Sequence, residues 1–136
     1  MAGPTTPGRV NWRVNRWVPF VDTIAVRGID LSAGPFLMQV RLFRDAPGAP
    51  LLNLVAAAAN AEGISASVAT SGGVPTTTIQ IRVNETTIEG LLPYPGNGVQ
   101  PGADVPLVWD MLIGSGATKS RWFEGSFTII PGVTQA

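Results

Sequence analysis

Asp110 and Glu124 are a pair of carboxylates that the sequence could set to chemistry. They stand in two strand-forming runs, VPLVWDMLI (105–113) and RWFEGSFTII (121–130), joined by a loop of small polar residues. Such a pair of runs predicts an antiparallel hairpin. Adjacent strands would bring the two carboxylates within reach of each other, as in a glycosidase that needs an acid and a nucleophile. Arg121 lies in the same hairpin, however, and a strand carboxylate far more often pairs with a guanidinium than catalyses. The expectation is therefore an Asp110–Arg121 pair. Gly114-Ser115-Gly116-Ala117-Thr118-Lys119-Ser120 approaches the phosphate-cradling pattern, which requires Gly directly before Lys and a helix after it. Here Thr118 precedes Lys119 and a strand follows, so the stretch reads as a hairpin loop. Ser120 lies beside Lys119, but neighbours on a strand point to opposite faces. Histidine and cysteine are absent, so there is no imidazole base, no thiolate and no disulfide framework. Asp22, Asp30 and Asp104 are dispersed and form no calcium-loop run. The sequon Asn84-Glu85-Thr86 would matter only in a secreted eukaryotic chain. No enzyme, cofactor or metal site is expected.

The elements that would position these residues are strands. Val105, Leu107, Trp109, Met111 and Ile113 recur with period two and share one face. In the partner run, Trp122 and Ile130 fall on one face and Phe123, Phe127 and Ile129 on the other. Phe36, Met38, Val40 and Leu42 share a face upstream. ISASVAT and TIQIRV, around Ser71-Gly72-Gly73-Val74-Pro75, predict a second hairpin. Leu51 to Val55 reads as a strand followed by an alanine connection, Asn84 to Leu91 as a short helical turn, and Pro93 to Gly102 as an irregular loop. Val10 to Phe20 reads as an edge strand interrupted at Pro19, with a second strand from Asp22 to Arg27. The count is seven to nine short strands, the pattern of an antiparallel β-sandwich in one domain over residues 9–136. The Pro- and Gly-containing residues 1–8 read as a flexible N-terminal arm.

Composition bounds the partners. Charged residues are 13% of the chain and cancel to a formal charge of zero, about half the usual share. With one Lys and eight scattered Arg, the chain lacks the clustered cations of a nucleic-acid groove. Low charge with positive mean hydropathy points instead to a subunit of an assembly, a homo-oligomer in particular. The start MAGPTTPG shows neither a signal nor a span, so the expectation is a protein made in a reducing cytosol, with no membrane partner.

Ile29-Asp30-Leu31-Ser32 leading into Phe36-Leu37-Met38-Gln39-Val40-Arg41, Glu62-Gly63-Ile64, Trp109-Asp110-Met111 and the closing Gly125–Thr134 stretch together resemble a module of tailed-bacteriophage virion proteins. This is an immunoglobulin-like sandwich of baseplate and tail-fibre-adaptor subunits. The resemblance spans about Asp22 to Thr134 and implies an immunoglobulin-like all-β fold, a non-enzymatic structural role in the virion tail, synthesis in the bacterial host cytoplasm, and other virion proteins as partners. Trp109 takes the position where that module usually carries Tyr, and the Trp12–Phe20 segment lies outside it. Capsid decoration or head-fibre service is the close alternative. Another is a host-surface glycan-binding sandwich using exposed aromatics, with Tyr94 its one evident loop aromatic. Trp12 and Trp17 fall on opposite faces of the edge strand, so Trp12, Val14, Trp17 and Phe20 form the candidate assembly interface. Trp109, Trp122 and Phe127 form the candidate core of the final hairpin.

Overall fold

The computed structural model describes Pro4, residues 6–91 and residues 101–135. Among these residues nine strands and one α-helix follow in order: β1 (Gly8–Arg9), β2 (Trp12–Asn15), β3 (Phe20–Arg27), β4 (Phe36–Arg41), β5 (Leu52–Val55), β6 (Gly63–Ser71), β7 (Val74–Val83), α1 (Glu85–Leu91), β8 (Val105–Ile113) and β9 (Ser120–Ile130). They make two sheets packed face to face. The larger is ordered β1-β9-β8-β4-β5, with β2 also on β9, and the smaller is β3-β7-β6.

The period-two stripes become the filling of this sandwich. Met38, Val40, Leu107, Met111, Phe127 and Ile129 face inward from the larger sheet; Ile64, Ile79, Ile81 and Val83 meet them from the smaller, and all are almost wholly buried. Ile88 and Leu91 of α1 are buried as well. The Gly72-Gly73 turn joins β6 to β7 with φ of 59° and 79°, the positive values that a two-residue turn of matching twist demands and glycine supplies freely. Buried Thr77 ties the 28–35 loop to β7: its Oγ1 donates to the Ile29 carbonyl (2.8 Å) and accepts from the Leu31 amide (2.9 Å). The β8–β9 register slips between Met111 and Leu112, which leaves Trp122 as an extra, bulged residue.

Two expectations change. The sandwich is not wholly antiparallel, because β1 and β2 run parallel to β9. Parallel neighbours need a crossover, and here all the chain between Asn15 and Ser120 intervenes. Nor do residues 10–20 form one strand. Trp17 adopts φ of 72°, Pro19 offers no amide to a ladder, and the turn between them hands the chain from the larger sheet to the smaller. The helical turn falls where expected, whereas residues 1–3, 5, 92–100 and 136, including half of the expected arm and Tyr94, lie outside the described residues.

Candidate interaction face

Trp12 and Val14 do not present themselves to a neighbour. They are 5% and 0% exposed, because β2 lies on β9 in the register Trp12↔Phe127 and Val14↔Ile129 and so points its apolar stripe into the chain's own core. Trp12 stacks on Trp109 at 4.1 Å between centroids and 12° between planes, and Phe20 meets its edge at 5.0 Å. Its indole N–H donates to Asp22 Oδ2 at 2.6 Å, which satisfies the polar end of an otherwise apolar ring. Trp17 and Phe20 are half-buried. The Trp17 amide donates to Glu89 Oε2 (3.3 Å), the Arg16 Nε to Glu89 Oε1 (3.0 Å), and the Arg16 guanidinium lies over the Trp17 ring; α1 thus clamps this turn. Of the expected core hairpin, Trp109 and Phe127 are buried, while bulged Trp122 packs half-exposed against the core rim.

What the larger sheet shows to solvent is a polar row. Cross-strand pairing aligns Asn53 of β5, Gln39 of β4, Asp110 of β8, Glu124 of β9 and Arg9 of β1 across its whole width. Gln39 Nε2 donates to Asn53 Oδ1 at 2.8 Å and Arg41 Nη2 donates to Gln39 Oε1 at 3.1 Å. Asp110 and Glu124 are direct cross-strand neighbours, a like-charge pairing that would destabilise the sheet if left bare. Guanidiniums answer both. Arg121 Nε donates to Asp110 Oδ2 at 2.8 Å, as the sequence predicts, and Arg44 Nη1 to Glu124 Oε2 at 3.2 Å, with Arg9 Nη1 3.8 Å from the same oxygen. These residues and Phe43 line a shallow cleft of about 440 Å³. Arg41 shapes its rim by donating to the carbonyls of Ala46 and Gly48.

Arg9 and Arg44 keep roughly two thirds of their side-chain surface in water, and Phe43 is 57% exposed. Exposed arginines beside an exposed aromatic have the composition of a protein-binding surface, since both can be desolvated while making directional contacts. Sequence reading treats the arginines as scattered and misses this convergence. Its one trace is the outward alternation of Gln39 and Arg41 in FLMQVR; the β4–β8 register that carries them to Asp110 has no local signal.

A smaller cleft of about 240 Å³ lies between Asp30, Gly34, Thr118 and Trp122. Asp30 Oδ1 accepts hydrogen bonds from the Ser32 hydroxyl and from its amide at 2.9 Å, which hold the exposed carboxyl below its ordinary value. Among the described residues, no three His, Cys, Asp or Glu side chains converge to hold a metal ion, and no helix is long and apolar enough to cross a membrane. No family model, curated protein or solved structure matches the chain.

Proposed function

We propose that this chain is an immunoglobulin-like, non-enzymatic assembly module: a structural subunit of a tailed-phage virion that makes contacts with other virion proteins in the tail, as part of a baseplate or fibre adaptor. The strand order supports the immunoglobulin comparison, for β3-β7-β6 set against β9-β8-β4-β5 follows the B-E-D and G-F-C-C′ arrangement. Three hallmarks differ: the cross-sheet disulfide has no cysteines, the most central tryptophan sits on β8 rather than on β4, and β8 itself carries no tyrosine for the corner. The virion role rests on the sequence resemblance.

The observation that carries the contact role is the outer face of the larger sheet. Asp110 and Glu124 are committed to guanidiniums there, a fixed charge pattern suited to register with a partner, while Phe43 stands ready to be covered. The cleft fits a protein surface offering carboxylates to Arg9 and Arg44 and an apolar socket to Phe43. The glycan reading draws no comparable support, since Trp12 and Trp109 spend their ring faces on each other.

Immunogold electron microscopy on particles purified from cells that express the chain tests the proposal. Gold at the tail is the expected result, and Phe43→Ala with Arg44→Ala should lower particle-bound chain at least tenfold while the circular-dichroism spectrum stays unchanged. Gold at the head would replace the tail role by decoration. Chain found only in the soluble fraction would overturn the virion role altogether.

A further inference from the structure

The β6 edge carries an inference of its own. Among the described residues the two sheets have four free flanks. The β1–β2 flank is short, interrupted and carries Arg9 and Arg13; β5 has four residues; β3 carries Asp22 and Arg27. β6 is the long one, nine residues reading GISASVATS, with no charge and no proline. Natural edge strands are ordinarily blunted by charge, proline, bulge or cover, because their unpaired amides and carbonyls are a template for another strand. β6 has cover at its first residues only, where the Ala57 amide donates to the Ile64 carbonyl at 2.9 Å.

That bond also fixes the direction of the rest. If the Ile64 carbonyl points away from β7, period two turns the backbone groups of Ala66, Val68 and Thr70 the same way. From Ser67 to Ser71 the strand is exposed on both faces, and inward-pointing Val68 remains 39% exposed. The middle of the uncovered stretch, Ser65–Ser71, is Val68.

We infer that β6 pairs antiparallel with β6 of a second copy about a two-fold axis at Val68, merging two three-stranded sheets into one. Val68 then exchanges both backbone bonds with its counterpart, Ala66 exchanges both with Thr70 of the copy, and Ser67 lies opposite Ala69. The occupant is a second copy because the strand is self-complementary: no charge meets its like across the axis, the chain as a whole has no net charge to repel its twin, and the symmetric register covers the exposed valine with the same valine. An isologous contact of this kind closes at two subunits. Pairing through the backbone is the mode by which exposed sheet edges are generally recognised.

Sedimentation velocity on the purified full chain from micromolar to millimolar concentration tests it. A monomer–dimer equilibrium is expected, with Val68→Thr associating as the parent does and Val68→Lys weakened at least tenfold, because two ammonium groups would meet at the axis. A second measurement does not depend on the lysine variant folding. The parent has no cysteine, so Ser67→Cys with Ala69→Cys should give a covalent dimer on mild oxidation, the opposed Cα atoms lying within disulfide range. A parent that stays monomeric throughout, a Val68→Lys chain that dimerises undiminished, or a double-cysteine chain that does not cross-link would each overturn the inference. None of these readouts involves a phage particle, so the virion reading stands or falls separately.

Discussion

Gly125 is the residue on which the entry of the chain into the larger sheet depends. A Cβ at this position would lie 1.8 Å from the Val10 carbonyl oxygen, and that oxygen accepts the Trp109 indole N–H at 3.0 Å. The glycine is therefore the gap through which the β1–β2 crossing drops close enough to be hydrogen-bonded from the core. Trp109 stands directly opposite Gly125 in the ladder, where its indole reaches the Val10 carbonyl that occupies the side-chain space. Since the obstructing atoms are backbone and cannot rotate away, Gly125→Ala should cost about 3 kcal/mol, the upper end for overpacking, and lower Tm by on the order of 10 °C. A thermal melt within a degree or two of the parent would show that the crossing can move aside. Asp30 makes a pH-dependent prediction. Its carboxyl is held below 3.8 by the Ser32 hydroxyl first and the Ser32 amide second, against a small opposing effect of burial. A depressed folded value contributes stability above the unfolded value, and that contribution disappears as pH falls through the folded one. Ser32→Ala should thus move the Asp30 titration upward toward 3.8 and shrink its share of the acid-limb loss of stability. An NMR titration of the side-chain carboxyl carbon in both proteins checks this, and an unmoved midpoint would refute it.

At the scale of elements, what could be read in the sequence is what local chemistry encodes. The two hairpins announce themselves through Gly72-Gly73 and the 114–120 loop, and the alternation in VPLVWDMLI assigns Trp109 and Met111 to the core. The same alternation, applied to residues 10–20, gives a misleading picture. Trp12 and Val14 do alternate, but whether such a stripe meets a neighbour or its own sheet is decided by pairing with β9, more than a hundred positions away in the chain. Phe43 and Arg44 are legible only as residues after a strand; their approach to Glu124 is a product of register. Beyond the Asp110–Glu124 neighbours and the Asp110–Arg121 pair that the hairpin foretells, the polar row is likewise invisible because each of its members comes from a different strand. Trp122 shows a further limit: a bulge moves a tryptophan to the rim of the core without leaving a mark in composition.

The molecule as a whole is held shut by its last strand. β9 pairs with β8 on one side and with β1 and β2 on the other, so among the described residues it is the strand that joins the beginning of the chain to the late hairpin. On a ribosome, where synthesis proceeds from the N-terminus, Trp12 and Val14 must wait uncovered until Phe127 and Ile129 arrive. Chains stopped after Thr118 should therefore remain open and be digested by protease at low concentration, whereas chains that include Ile130 should resist; equal resistance of the two would disprove the dependence. In the assembly role proposed above, this placement would act as proofreading. A polypeptide terminated before β9 cannot complete the sheet that displays Arg9 beside Glu124, so it stays unfolded and would be barred from the proposed assembly.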